Sequence, residues 1–195
     1  ALPIYPYHQL RIAVVPYNYS FAAEAFPGVV VVRETGAAGP LSMPPAPGAI
    51  DPLYGVLVHE ISHEWWGNQE LPANVRGLNL ITESFAQYSE LMLLQQRYGR
   101  AALHPMLRYL LDTYLQGRRR TAVPESPLVD TGDAEQGYIY YDKGALAMYA
   151  LQDYLGEDAV NGVLRRFLAD TRFKPPPYPT SRQFVRLLRA SVAPE

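Results

Sequence analysis

Two histidines four residues apart, with a glutamate between them, have the clearest chemical meaning in this sequence. They are His59, Glu60 and His63, in the run His-Glu-Ile-Ser-His. Residues i and i+4 of a helix share one face, so both imidazoles can reach one ion. Imidazole binds zinc well, and a carboxylate beside the open coordination position can accept a proton from a metal-activated water. The spacing therefore predicts a helical zinc site with Glu60 as general base.

A catalytic zinc ion usually has three protein ligands, so the sequence must supply one more. A histidine six residues after His63 is ruled out because position 69 is Gln69. Glu83, near the start of the next predicted helix, is the preferred third ligand. Glu90 lies seven residues further along the same face and is the alternative. Glu70 is expected to be solvated in the connecting loop.

An ordinary amphipathic helix is the competing interpretation of the histidine pair. The apolar run over residues 55–58, together with Trp65 and Trp66 after the motif, favours a buried helix. Buried histidines and glutamates are costly unless a partner or an ion satisfies them, which favours metal binding. His8 and His104 lack any such context, so we expect both to be structural or surface residues.

The composition is that of a globular protein with no strong charge preference for its partners. The chain has 195 residues, 48% of them hydrophobic and 18% charged, with a formal net charge of −2 and no cysteine. Nothing global indicates a nucleic-acid partner, and no run of about 18 uncharged apolar residues predicts a membrane span. The N-terminal residues lack a signal-peptide pattern, and because the sequence does not begin with methionine we expect a chain that is either processed or cut from a longer polypeptide, with which a targeting segment or membrane anchor could have been removed.

Local patterns predict a few strands followed by a larger helical part. β-Branched runs predict strands at residues 10–15 and 29–33, and the proline-rich segment 40–48 predicts a loop. Helices are predicted at residues 52–66, 80–98, 101–115, 142–155, 158–171 and 181–192, with a stiff connector at 174–179. We therefore expect an α+β fold in which a strand-rich part (1–48) and a helical part (49–195) form one domain.

Three segments resemble the M1 aminopeptidase family of gluzincins. Residues 59–68 are similar to the family pattern His-Glu-x-x-His-x-Trp-x-Gly-Asn, residues 82–86 to Asn-Glu-Gly-Phe-Ala, and residues 141–144 to Tyr-x-Lys-Gly. The resemblance covers roughly residues 10–192. It implies a thermolysin-like zincin catalytic domain that binds Zn²⁺ through His59, His63 and Glu83. It also implies that Tyr141 donates a hydrogen bond to the tetrahedral intermediate.

The chain departs from the family pattern at two places near the predicted site. Nineteen residues separate His63 from Glu83, one more than is usual, and we expect the loop at 71–74 to absorb the difference. Residues 22–26 replace the family's Gly-x-Met-Glu-Asn segment, whose glutamate binds the substrate's amino group. Glu24 stands one position out of register, and it is either the amine anchor or an exposed loop residue. The strand at 29–33 is expected to form the edge of the cleft.

These observations favour a zinc-dependent peptidase with M1-like aminopeptidase activity on a peptide or protein substrate. The alternative is a pseudoenzyme or peptide-binding module that retains zinc. A purely structural zinc site is disfavoured because such sites are usually closed by four ligands and rich in cysteine.

Overall fold

A three-stranded sheet precedes the helices in the computed structural model, which describes residues 4–34, 49–132 and 136–192. The strands are β1 (Arg11–Val15), β2 (Ala23–Phe26) and β3 (Val29–Arg33). β3 lies in the middle, parallel to β1 and antiparallel to β2. The predicted loop at 40–48 lies outside the described residues. The strand 29–33 was predicted to form the edge of the cleft. This prediction is wrong, because β3 lies between β1 and β2 and β2 forms the outer strand.

The strand β2 was not among the predicted elements. Its sequence, Ala-Glu-Ala-Phe, contains no β-branched residue and has low intrinsic strand propensity. Pairing with β3 makes this segment a strand despite its low propensity, since Glu24 lies opposite Val31 in a regular antiparallel register. Glu24 is consequently held in a strand rather than in a loop.

Six α-helices lie within the described ranges. They are α1 (Pro52–Ser62), α2 (Phe85–Tyr98), α3 (His104–Arg120), α4 (Gly144–Leu155), α5 (Glu157–Thr171) and α6 (Ser181–Ser191). Together with the preceding sheet they confirm the predicted α+β class. None of the helices in the described part of the chain is long and apolar enough to cross a membrane.

The helix α1 begins and ends close to the predicted motif. The Asp51 side chain accepts a hydrogen bond from the Leu53 amide at 2.9 Å, and Pro52 takes the first helical position. The helix ends at Ser62, four residues earlier than predicted. The next three amides, of residues 63–65, donate hydrogen bonds to carbonyls three residues earlier rather than four. His63 keeps helical dihedral angles, so the i, i+4 relation to His59 survives.

Two π-helical turns precede α2 and α4. The first spans Leu80–Ser84 and contains Glu83, and the second spans Ile139–Lys143 and contains Tyr141. A π turn holds one more residue than an α turn. The spacing between His63 and Glu83 is one residue longer than is usual in the family. The first π turn can accommodate that extra residue without a change in the loop at 71–74.

The helix α3 continues five residues beyond the predicted end at 115. Its last turns are polar and carry no apolar period that a sequence pattern could detect. Gly117 brings this part of the helix directly against the Tyr138 ring, since a Cβ atom there would lie 2.4 Å from it. Tertiary packing thus extends the helix where local sequence does not predict it.

An aromatic core holds the start of α2 in place. The Phe85 ring packs against Trp66 at 5.0 Å and against Phe184 at 4.6 Å between centroids, and Phe167 completes the group. All four side chains are nearly or fully buried. Because Phe85 follows Glu83 by two residues, this core fixes the turn that carries Glu83.

Candidate metal centre and active-site cleft

Two imidazole nitrogens and one carboxylate oxygen face one another at the end of α1. His59 Nε2 lies 3.1 Å from His63 Nε2, and Glu83 Oε2 lies 3.5 Å and 3.4 Å from these two atoms. Ligand bonds of about 2.0–2.1 Å around a tetrahedral zinc imply donor–donor separations of about 3.3 Å. The three donors match that spacing and form the one group in the described part of the chain suited to a metal ion.

The Glu83 carboxylate fits this interpretation. Its Oε2 atom is buried and accepts no hydrogen bond from the described residues. Burial alone would raise the Glu83 pKa, but the two histidines outweigh burial and lower it. Glu83 is therefore ionised, and a cation between the three donors would satisfy the buried oxygen.

The second histidine is oriented by the main chain. His63 Nδ1 lies 3.1 Å from the Trp66 carbonyl oxygen, which can only accept a hydrogen bond. Nδ1 therefore carries the proton, and the Nε2 lone pair points toward Glu83. Trp66 is itself held by a hydrogen bond from its Nε1 to Ser89 Oγ at 3.1 Å. This arrangement is typical of histidines whose outer nitrogen is fixed so that the inner one can bind a metal.

The first histidine is oriented by α2. His59 Nδ1 lies 3.0 Å from the Gln87 amide nitrogen and 3.6 Å from Glu90 Oε2. If His59 binds a metal through Nε2, its Nδ1 carries a proton and needs an acceptor. Gln87 Oε1 is buried without a donor among the described residues, so rotating this amide by 180° would bring that oxygen to His59 Nδ1 as the acceptor, and the Glu90 carboxylate adds a negative charge 3.6 Å away. Glu90 thus lies on the outer side of His59, away from the three facing donors.

Glu60 lies at the wall of the pocket that contains the three donors. Its side chain is buried, and this metal pocket, of about 310 Å³, is also lined by Glu24 and Tyr141. Burial raises the Glu60 pKa, the two histidines lower it, and the charges of Glu83 and Glu24 raise it further. The net effect is a pKa above the usual glutamate value, which suits a group that accepts and returns a proton.

Tyr141 reaches the same pocket from the second π turn. Its ring centroid lies 6.2 Å from that of His59. Desolvation and the nearby Glu83 charge both raise the pKa of its phenol, so the hydroxyl remains protonated and can donate. Tyr138 is buried against Tyr114 and is remote from this role.

The two π turns are joined by a residue that the motif analysis did not single out. Ser84 is fully buried, and its Oγ donates a hydrogen bond to the Tyr140 carbonyl at 2.6 Å. The same hydroxyl fills the space beside Gly144, where a Cβ atom would lie 2.2 Å from it. The turns carrying Glu83 and Tyr141 therefore pack as one unit. A signal was present in the sequence, because Ser84 replaces the glycine of the family pattern.

The sheet is anchored to the end of α1 through Glu64, the residue after His63. Both oxygens of the buried Glu64 lie near the Gly28 amide, at 3.0 and 3.1 Å. Gly28 has φ 75°, and a Cβ atom there would crowd the Gln9 carbonyl at 3.3 Å. This contact holds the hairpin of β2 and β3, and with it Glu24, against the metal pocket. Glu24 accepts a hydrogen bond from the Tyr19 hydroxyl at 2.5 Å.

Glu70 differs from its expected environment. The prediction that it is solvated is wrong, because the side chain is fully buried and neither oxygen has a hydrogen-bond donor among the described residues. The main chain folds it inward: Trp66 bridges to Glu70, and the Glu70 amide donates to the Trp65 carbonyl at 3.0 Å. Burial raises the Glu70 pKa to about 8. His8 and His104 are both exposed.

Comparison with known proteins identifies the family of this fold. The family model of the peptidase family M1 domain matches residues 3–188. The chain is 28% identical over 160 residues to human endoplasmic reticulum aminopeptidase 2, covering 79% of this chain and 16% of that protein.

The fold is also shared with solved structures of an M1 zinc metallopeptidase from Deinococcus radiodurans. One such structure has a TM-score of 0.67 at 19% identity, over 96% of this chain and 37% of that one. A mutant bound to a Tyr-Ser-Ala substrate gives a TM-score of 0.67 at 20% identity, with the same coverage. The chain thus spans well under half the length of these relatives. Because the family model matches most of its length, the chain belongs to peptidase family M1.

Proposed function

We propose that the chain is a zinc-dependent peptidase domain with aminopeptidase activity. The observation that supports this most directly is the spacing of His59 Nε2, His63 Nε2 and Glu83 Oε2, which suits one tetrahedral ion. Membership in peptidase family M1 supports the same reaction. We further propose that residues 1–195 act as one catalytic domain, with the strand-rich and helical parts on either side of the cleft.

Glu60 is the proton carrier in this proposal. Zinc held by the three donors would supply Lewis-acid chemistry, polarising the scissile carbonyl and increasing the acidity of the attacking water. Glu60 accepts the proton from that water and passes it to the leaving amine. Its raised pKa favours the first step, because a more basic carboxylate takes the proton more readily, and it keeps the acid protonated until the leaving amine accepts that proton.

Tyr141 stabilises the charge that develops on the carbonyl oxygen. Its raised pKa keeps the phenol protonated, so the hydroxyl donates a hydrogen bond to the oxyanion. The π turn and the Ser84 hydrogen bond hold the ring at the pocket before the substrate arrives. This pre-organisation lowers the cost of reaching the transition state.

Glu24 binds the free α-amine of the substrate. Its carboxylate lines the metal pocket and lies close enough to Glu60 to raise the Glu60 pKa. β2 is the edge strand on this side, so an extended peptide can add to it through main-chain hydrogen bonds. A charge pair at one end of that strand then restricts cleavage to the first peptide bond.

Glu60→Gln tests the proposal. We expect the variant to keep zinc and its thermal unfolding temperature while turnover of an unblocked tripeptide falls by about 10²–10⁴-fold. The exposed Glu157→Gln serves as the matched control and should retain full activity. A chelator should abolish wild-type activity, and zinc should restore it. Retention of most of the wild-type rate by Glu60→Gln would disprove the role of Glu60.

A further inference from the structure

A second and larger cavity opens from the metal pocket. This side cavity, of about 890 Å³, shares five lining residues with the metal pocket: Phe21, Ala23, His59, Glu60 and Tyr141. Its walls are mainly apolar and come mostly from α1, α3 and the residues just before each of these helices, with further residues from 21–23, α2 and the second π turn. Among them, Val56 and Met106 present aliphatic side chains. A side chain next to the scissile bond can therefore enter it without leaving the cleft.

The wall of the side cavity contains a carboxylate that has no partner in the described part of the chain. Asp142 is only 8% exposed, and it forms no hydrogen bond or ion pair with the described residues. Glu90, also buried, lines the same space, and no lysine or arginine is among the described residues that line the cavity. Burial raises the Asp142 pKa to about 6, which leaves the group mostly ionised at neutral pH. An unpaired buried charge is costly unless a ligand supplies the opposite charge.

The direction of the substrate decides which residue meets this cavity. A peptide whose amine lies at Glu24 and which continues toward Ala22 runs antiparallel to β2. Glu24 lines the metal pocket, whereas Ala22 lines the side cavity. The side chain that follows the scissile bond, on the second residue of the peptide, therefore reaches the side cavity.

We propose that the side cavity binds the side chain of the substrate's second residue and selects arginine or lysine at that position, with Asp142 as the specificity-determining residue. The aliphatic part of such a side chain lies along Val56 and Met106, and its cationic end pairs with Asp142. This assignment rests on the proposed aminopeptidase function. It requires no cation from the protein itself, since the substrate supplies the charge.

Two tripeptides that differ only at the second residue test the assignment. Ala-Arg-Ala and Ala-norleucine-Ala have side chains of comparable length, but only the first is charged. We expect wild-type kcat/KM to favour the arginine peptide by at least about tenfold, and Asp142→Asn to reduce that ratio by about tenfold. The ratio cancels any common effect on the adjacent Tyr141. The exposed Asp112→Asn, on α3, is the control and should keep the wild-type ratio.

Binding to non-cleaving protein separates this assignment from the proposed function. Calorimetry on zinc-loaded Glu60→Gln and on the Glu60→Gln, Asp142→Asn double variant compares the same peptides without turnover. A preference for the arginine peptide that depends on Asp142 supports the cavity assignment even if no variant cleaves peptides. Equal binding of both peptides, or a ratio unchanged by Asp142→Asn, overturns it even if the wild type is an active aminopeptidase.

Discussion

At the residue scale, each proposed imidazole ligand is oriented by a contact at its Nδ1 atom, the nitrogen that faces away from the metal pocket. His63 is held by the Trp66 carbonyl and His59 by side chains of α2, so both Nε2 atoms meet Glu83 without rearrangement. The direct donor and the outer partner should therefore differ in how much they matter for zinc affinity. A carboxylate that binds the ion contributes more than one that orients a ligand.

Glu83→Gln and Glu90→Gln should weaken zinc binding to different extents. We expect Glu83→Gln to lose tight binding, because it removes a charged donor. Glu90→Gln should weaken affinity by about 10–100-fold, as is typical of an outer-sphere partner. Competition against a chromophoric chelator measures both. The assignment of Glu83 is wrong if its variant binds zinc as tightly as wild type while Glu90→Gln does not.

Tyr141→Phe should lower kcat by about 10–10³-fold, with little change in KM or zinc affinity. The lost hydrogen bond forms only in the transition state, so its removal affects turnover rather than substrate binding. Steady-state kinetics of a tripeptide provides the measurement. Tyr140→Phe and Tyr138→Phe are controls, and a larger loss in either would show that the wrong tyrosine was chosen.

At the element scale, the joined π turns form the rigid centre of the site. Gly144→Ala would place a Cβ atom 2.2 Å from Ser84 Oγ, and it should destabilise the fold by about 1–3 kcal/mol. Removing the obstructing hydroxyl should restore part of that loss, so Ser84→Gly combined with Gly144→Ala should be less destabilised than the sum of the single variants. Urea unfolding tests this coupling. Strict additivity would contradict the packing described.

The edge strand β2 should determine how the substrate terminus is recognised. If Glu24 binds the α-amine, acetylating a peptide's N-terminus should reduce wild-type kcat/KM by at least about 10²-fold. Glu24→Gln should lose most of this preference while still cleaving the bond. Parallel rate measurements on free and acetylated peptides decide the matter. A wild type that ignores acetylation would rule out aminopeptidase specificity and leave the peptidase proposal intact.

Sequence patterns predicted the helices far better than the local features that shape the site. Apolar periodicity and glycine stops gave nearly correct limits for α4, α5 and α6 and the correct end of α2, because these helices bury one face. β2 escaped prediction because its pairing is tertiary, and the π turns escaped because they keep helical composition. The orientation of Glu64 and of Asp142 depends on residues distant in sequence, so no local pattern indicates it.

At the scale of the whole molecule, the buried Glu70 should make folding stability depend on pH. Its pKa is about 8 in the folded chain against an ordinary 4.5, so the folded state holds an extra proton between these values. Stability from this group is complete below about pH 4.5 and is lost as the pH rises through 8, with a slope approaching about 1.4 kcal/mol per pH unit. Glu70→Gln should unfold less easily than wild type at pH 8.

Chemical unfolding at several pH values measures this difference. The gap in unfolding free energy between Glu70→Gln and wild type should widen from pH 5 to pH 8. The exposed Glu157→Gln should show no such trend. A constant gap would mean that Glu70 stays ionised in the folded protein and has a partner other than a proton.

The hydrogen bonds from the Gly28 amide to Glu64 fix the distance between β2 and the proposed metal ligands. Because this carboxylate follows His63 directly and holds the β2–β3 hairpin, the hairpin cannot swing outward without breaking the Gly28–Glu64 hydrogen bonds and leaving a buried carboxylate without a donor. The distance from Glu24 to α1 is then set by the fold rather than by the substrate. In the proposed aminopeptidase, a fixed distance between the amine anchor and the metal ligands would make the position of cleavage independent of peptide length.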